Sequence, residues 1–282
     1  MESIKTSEVV DIRQTEEYAN YLKCEGWIVE RIENVNYFIK KLPLIGSILK
    51  IQRPEHLDIQ TACRLGKKYQ VFQTIIEPKT VADSQRLTID GFKLSKSPYL
   101  PSKTLQIDLT KPLKFDKETR RCIKIGDQVK IKICSTLSDL KEFHNAWRKS
   151  VKFTRFVPSL KSLINFRNCF NAHKPIILTS HNVSGSIIGG AIFTRSLHDY
   201  AYYWQGFTNK EGRSSLSQYS LVYHGILWAK KMGCKAFDFE GIYDERFPNK
   251  SWLGFTHFKK SFGGKEILYP VCYTKWIFPR FT

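Results

Sequence analysis

Two short stretches late in the chain hold residue types that can manage charge and protons. Phe237 to Ile242 (FDFEGI) carries Asp238 and Glu240, and Phe258 to Gly264 (FKKSFGG) carries Lys259 and Lys260 before a Gly-Gly turn. Only 15 residues separate the two stretches, so a carboxylate pair and a lysine pair can flank one cleft. Such a set can neutralise a phosphate, stabilise an oxyanion and take up a proton. On a strand, alternation puts Asp238 and Glu240 on one face and Phe237 and Phe239 on the other. An acid there either accepts a proton from an amine nucleophile, directly or through water, or hydrogen-bonds the turn that follows. Asp244 and Glu245 enlarge the acidic patch from a loop.

Consecutive helical residues point about 100° apart. One of Lys259 and Lys260 can therefore face a ligand while the other is solvated; ordinary surface charge is the alternative for both. Phe258 and Phe262, four residues apart, can anchor one helix face, and Gly263-Gly264 can end the helix. Upstream, Tyr203 and Gln205 alternate on a strand and can face the same cleft, with Tyr202 and Trp204 behind. Stacking on a base or sugar competes there with plain core packing. Arg213 follows in a Gly-Arg-Ser-Ser turn. Arg120 and Arg121, with Lys117 and Lys124, form a basic helix that can contact phosphate or lie solvated.

The elements that must position these groups alternate along the chain. Strands are expected at 27–32, 35–40, 48–52, 69–76, 104–109, 129–133, 175–179, 187–193, 200–205 and 236–240. Helices are expected at 16–24, 55–68, 116–125, 137–147 and 158–170, with a long one from Ser214 or Ser215 to Met232. On that last helix Leu216, Tyr219, Tyr223, Ile226 and Leu227 form an apolar stripe assigned to packing. The Gly126-Asp127 turn is the best boundary candidate, giving domains 1–126 and 127–282. This order predicts an α/β protein with mixed sheets rather than a doubly wound dinucleotide fold, and no Rossmann or Walker fingerprint is present.

With 282 residues and 42% apolar composition, the chain can bury one or two cores. Forty-five Lys and Arg against 26 Asp and Glu give a net charge of +19. A field of that size attracts nucleic acid, anionic lipid or phosphorylated ligands. The seven cysteines are scattered without CxxC spacing, which points away from a structural zinc. No apolar run spans a bilayer and no signal-peptide pattern opens the chain. A reduced, cytoplasmic protein without a metal is the economical reading.

Together these segments resemble the Fem family of aminoacyl-tRNA-dependent peptidyltransferases, which build amino-acid branches or bridges on peptidoglycan precursors. The resemblance covers roughly residues 100–268. It rests on TLQIDL (104–109), TRRCIK (119–124), the strand from Tyr202 to Gly206, WAKKMG (228–233) and DFEGI (238–242). FKKSFGG (258–264) is its most specific part. It implies tandem N-acetyltransferase-like domains with mixed, mainly antiparallel sheets. It also implies transfer of an amino acid from aminoacyl-tRNA, as co-substrate, to an amine of a muropeptide precursor, soluble or lipid-linked, without a bound cofactor. Phe258-Lys259 matches the Phe-Lys pair that lies near the reacting ester in the family, so Lys259 is expected to stabilise developing negative charge or the terminal phosphate region. Arg31 is the candidate for the N-terminal basic residue that grips precursor phosphate in relatives. Family chains often carry a coiled-coil arm, and this sequence has no long heptad segment. A basic protein of this kind can also visit an anionic membrane at its inner face. Two other functions fit the same residues: a coenzyme A-dependent small-molecule N-acyltransferase, for which 209–215 lies in the right place without the glycine-rich spacing, and a non-catalytic tRNA-binding module.

Overall fold

Short polar side chains set most helix starts. The computed structural model describes residues 10–151, 155–173, 175–196 and 200–277. Thr15, Asp58 and Thr80 accept backbone N–H groups from the first turns of α1 (Glu16–Cys24), α2 (Ile59–Lys68) and α3 (Val81–Ile89). Asp116, Thr136 and Ser159 do the same for α4 (Lys117–Gly126), α5 (Leu137–Ser150) and α6 (Leu160–Cys169). Each satisfies a donor that the helix itself leaves unpaired. Thr136 and Asp139 form a reciprocal capping box.

The single helix expected after Ser214 or Ser215 is instead two, α7 (Lys210–Ser214) and α8 (Ser217–Lys231). Leu216 breaks the run at φ 55. The hydroxyls of Ser215 and Ser217 turn back to the Gly212 carbonyl, at 3.3 and 3.2 Å, instead of capping α8.

The chain divides into two units: Met1–Lys103 with Asp244–Pro248 and Leu268–Thr282, and Thr104–Tyr243 with Asn249–Ile267. The Gly126-Asp127 turn, expected as the boundary, lies inside the second unit. A Cβ on Gly126 would meet the Leu216 carbonyl oxygen at 2.6 Å, so this glycine lets α4 press onto the start of α8 and is no linker.

The first unit holds β1 (Ile28–Ile32), β2 (Val35–Leu42), β3 (Gly46–Gln52), β4 (Val71–Glu77) and β5 (Lys93–Leu94). The second holds β6 (Lys103–Asp108), β7 (Lys130–Ile133), β8 (Ile176–His181), β9 (Ile187–Arg195), β10 (Tyr200–Thr208), β11 (Ala236–Gly241), α9 (Leu253–Ser261) and β12 (Lys265–Leu268). The final strand, β13 (Tyr273–Trp276), returns to the first sheet, whose order is β1-β2-β3-β4-β13-β5. The second sheet runs β12-β6-β11-β10-β9-β8-β7. Both are mixed and mainly antiparallel, with β3 parallel to β4 in the first and β10 parallel to β11 in the second.

In the first unit Tyr37, Ile39, Leu49, Ile51 and Ile76 pack against Ala62 and Leu65 of α2 and Leu87 of α3. In the second, Phe193, Ala201, Phe237 and Phe239 meet Leu221, Val222, Ile226 and Ala229 of α8. Of the expected stripe, Ile226 is buried and Tyr219 and Tyr223 pack against this core, while Leu227 is 39% exposed. Gly225 completes the buried stripe, where a side chain would strike the Phe193 ring. Among the described residues, no helix is long and apolar enough to cross a membrane.

Candidate active site

The site begins where two parallel strands part. β10 and β11 pair only at Tyr200↔Ala236, Ala201↔Phe237 and Tyr202↔Asp238. β10 then continues to Thr208 and β11 to Gly241 without pairing to each other. Both strands are irregular at the point of parting. β10 shifts register between Tyr203 and Gln205 against β9, and β11 shifts between Asp238 and Gly241 against β6. In β11 the irregularity places Glu240 at φ 59, a conformation that costs a non-glycine residue about 1–2 kcal/mol.

Lys259, in the last turn of α9, reaches this bulge. Its ammonium donates to the carbonyl oxygens of Phe239 (2.7 Å) and Gly241 (2.6 Å), the two residues flanking Glu240. The Glu240 carbonyl points the other way and accepts from the Thr104 hydroxyl of β6 at 2.6 Å. The lysine therefore serves carbonyls on the side that β10 has left. Tyr203 and Phe255 lie against it, with ring centroids 5.7 and 5.1 Å from Nζ. Burial pulls its pKa down to about 8, against the opposing attraction of Glu240 and Asp238. Two of its three N–H bonds are taken; among the described residues the third has no partner.

Asp238 is 4% exposed. Its carboxylate accepts from Gln106 Nε2 at 2.8 Å and from the Glu240 backbone N–H at 2.6 Å, and lies against the Thr104 hydroxyl, whose single hydrogen it shares with the Glu240 carbonyl. Burial raises its pKa to about 6, helped by the like charge of Glu240 and held back by those hydrogen bonds. The more exposed of the two carboxylates is Glu240, which is half-buried.

The Asp238 and Phe239 alternation is as read from the sequence, with Phe237 and Phe239 fully buried. It breaks at Glu240 because of the bulge. The expected shared face of Tyr203 and Gln205 is broken in the same way. These residues pair with Phe193 and Ile192, which are consecutive, so they point to opposite faces. Tyr203 stays on the core side, stacked on Phe193, and receives a 2.6 Å bond from Gln218 Nε2 on its hydroxyl. Burial pushes its pKa up. Gly206 leaves room for that ring, since a Cβ there would run into the Tyr203 hydroxyl. Trp204 stacks on Phe166 at 5.7 Å.

The other expected groups are placed differently. Phe258 packs on Tyr219 and Phe262, with centroids 4.9 and 5.5 Å away, and so braces α9. Lys260 is exposed and pairs with Glu266. Arg213 donates to the Thr208 carbonyl at 2.9 Å. Arg120 and Arg121 lie on the exposed face of α4. Arg121 is bound bidentately by Glu118 at 2.8 and 2.6 Å, which draws the Glu118 pKa down to about 2. Thr119 ties α4 to the end of α9 by a 2.8 Å bond to the Ser261 carbonyl. Arg31 lies in the first unit, where it donates to the Gln14 carbonyl and to Asn36 Oδ1, both at 2.8 Å. Asp244 is also a first-unit residue, buried against Arg246 and Ser102. It adds nothing to the Asp238–Glu240 pair's hydrogen bonds.

Thr104, Gln106, Gln218 and Phe255 were not singled out as site residues from the sequence. Thr104 and Gln106 alternate on one strand face, but 134 and 132 residues separate them from Asp238. Only the sheet order brings them together.

No protein-family model matches the sequence, and no curated protein matches it. Solved structures do match. FemX superposes with a TM-score of 0.78 at 14% identity, covering 98% of this chain and 97% of its own. The C-terminal domain of a putative lysylphosphatidylglycerol synthetase from Agrobacterium fabrum gives 0.64 at 12% identity, covering 93% and 88%. A GCN5-related N-acetyltransferase from Sphaerobacter thermophilus gives 0.52 at 10% identity, covering 87% and 77%. The chain has the fold these proteins share. At such identities the likeness is one of fold alone.

Proposed function

We propose that this protein is an aminoacyltransferase that moves an amino acid from aminoacyl-tRNA to an amine, the leading acceptor being a muropeptide precursor. One observation carries the reading. A lysine ammonium is fixed by two main-chain carbonyls at the opening between diverging strands, with one N–H in reserve and two carboxylates beside it. The structural similarity to FemX and to a lysylphosphatidylglycerol synthetase domain supports it.

In this mechanism the acceptor amine attacks the ester carbonyl carbon of the aminoacyl group. The remaining Lys259 N–H meets the oxyanion that develops, where a preorganised donor is worth most. Glu240 takes the proton released by the amine, directly or through water. Asp238, which accepts the Glu240 backbone N–H, holds the bulge that aims Glu240. Collapse of the tetrahedral intermediate forms the amide, breaks the C–O bond and returns a proton to the tRNA hydroxyl. Holding two substrates together supplies the rest of the rate, with no covalent enzyme intermediate. Arg120 and its neighbours on α4 offer phosphate contacts for the tRNA, and no bound cofactor is required.

The test follows labelled amino acids from a mixed aminoacyl-tRNA pool onto soluble and lipid-linked muropeptide precursors, with phosphatidylglycerol as a further acceptor. Label on a precursor, lost in Lys259→Ala while the protein stays folded, establishes the reaction and names the amino acid. Label on phosphatidylglycerol alone moves the acceptor to lipid. Salt-dependent tRNA binding without any transfer identifies a binding module. Neither binding nor transfer overturns the reading and turns attention to coenzyme A thioesters.

A further inference from the structure

The turn between β2 and β3, in the first unit, is built in a way that folding alone does not favour. The Ile45 N–H donates to the Leu42 carbonyl at 3.2 Å. Pro43 is second in this turn and Leu44 is third, at φ 66. That is the type II pattern, whose third position belongs to Gly or Asn. Leu44 is nevertheless 107% exposed and Ile45 64%. Neither backbone conformation nor packing rewards a leucine there.

The tip is also held firmly. The Ser47 N–H donates to the Gln70 carbonyl at 3.1 Å, and a Cβ on Gly46 would meet that same oxygen at 2.7 Å. Beside the turn lies an open cavity of about 1170 Å³, apolar at Val71, Phe72 and Ile277 and basic at Lys41, Lys67 and Lys68. Lys68 shares its charge with Glu30 at 2.7 Å. Lys41 and Lys67 are exposed and have no partner among the described residues. Trp276 is 52% exposed and contacts Phe72, with centroids 5.9 Å apart.

We infer that this turn docks the protein on an anionic phospholipid bilayer. Leu44 and Ile45 enter the boundary between headgroups and acyl chains, and Lys41 and Lys67 meet lipid phosphates. Leu44 and Ile45, both exposed at the rim of this cavity, offer apolar surface that a fluid bilayer can close around; a protein partner would have to offer a matching pocket. The lysine rim fits an anionic surface, and an exposed Trp suits the headgroup level. This inference stands apart from the transferase reading and is tested without tRNA.

The experiment is co-sedimentation of the full chain with vesicles of phosphatidylcholine alone or with about one third phosphatidylglycerol. Wild type should pellet with the anionic vesicles, less so at high salt, and stay in solution with neutral ones. Leu44→Asn with Ile45→Ser should weaken binding about tenfold. Asn suits the left-handed position, so melting should be unchanged or higher and a folding defect would be seen separately. Lys41→Glu with Lys67→Glu should weaken binding and flatten the salt dependence. Wild type that ignores anionic vesicles, or an Asn/Ser variant that binds as well as wild type, overturns the inference. So does a concentration-dependent dimer abolished by the Asn/Ser variant, which would assign the face to a second copy of the chain.

Discussion

Each unit contains a parallel strand pair joined through helical segments, and the two pairs are finished in opposite ways. In the first unit β3 and β4 pair from Ser47↔Val71, with one register shift before Ile48↔Gln73, through to Gln52↔Glu77, and the Arg53 N–H carries the ladder one step further onto the Glu77 carbonyl at 2.6 Å. In the second unit β10 leaves β11 after three pairs. The carbonyls of Phe239 and Gly241 then take a lysine ammonium in place of backbone N–H groups. Buried carbonyls must be paired somewhere. A closed ladder does this with neutral donors and leaves no room; an open one needs a donor from elsewhere, and a charged donor makes the gap chemically useful. The same topology therefore yields a structural sheet in one unit and a candidate site in the other.

The largest expected effect comes from removing that charged donor. Lys259→Met should lower the rate of transfer about 10³-fold, as loss of an oxyanion donor does. It should also cost about 1–3 kcal/mol of stability, because the two carbonyls lose their partner. Transfer kinetics and denaturant unfolding measure the two separately, and undiminished transfer would break the distinction between the units.

Replacing Glu240 by Gln should slow transfer about 10²-fold, the scale of a lost general base. The pH dependence sharpens this. Transfer should rise as pH passes about 6, where Asp238 ionises, and fall above about 8, where Lys259 loses its proton. In Glu240→Gln the Asp238 pKa should drop, since the like charge that raised it is gone. Stability follows the opposite logic. Asp238 binds its proton more tightly folded than unfolded, so its contribution is greatest below pH 4 and is lost as pH rises through about 6. Lys259, with a depressed pKa, contributes above about 10.5 and loses that contribution as pH falls through about 8. Carboxyl NMR titration and melting curves across pH 4–10 read these directions.

Glycines compare the units directly. Gly206→Ala should cost about 1–3 kcal/mol by overpacking and also disturb Tyr203 beside Lys259, lowering transfer beyond the loss of folded protein. Gly46→Ala should cost a similar amount of stability, since its Cβ meets the Gln70 oxygen, with kcat per folded molecule unchanged. The smallest effect is expected on α4. Arg120→Ala should weaken tRNA binding about threefold and reduce its salt slope by about one unit. Arg121→Ala should do less, because Glu118 already holds that guanidinium. Filter binding at two salt concentrations measures both.

Much of this was legible in the amino-acid order. The positions of most strands and helices, the burial of Phe237 and Phe239 and the bracing of α9 by Phe258 and Phe262 follow from local patterns. So does the end of α9 at Gly263-Gly264, where φ is 77 and 105. Misplaced features share a cause. The Gly126-Asp127 turn looked like a domain boundary, and Gly126 is a contact inside the second unit, because packing of α4 on α8 is invisible to a local reading. Tyr203 and Gln205 looked like neighbours on one face, and a one-residue irregularity set them on opposite faces. Arg31 looked available, and its guanidinium is committed to Gln14 and Asn36.

The sequence by itself determined which residues carry charge and where most strands and helices lie, because those depend on interactions within a few turns of chain. Tertiary structure alone decided that β6 completes the second sheet and β13 the first. It alone brought Thr104 and Gln106 to Asp238 and opened β10 from β11 at Lys259. Strand order is a choice among distant partners that local period does not encode. The pKa values near 6 and 8 arise from burial and from neighbours that only the folded chain assembles.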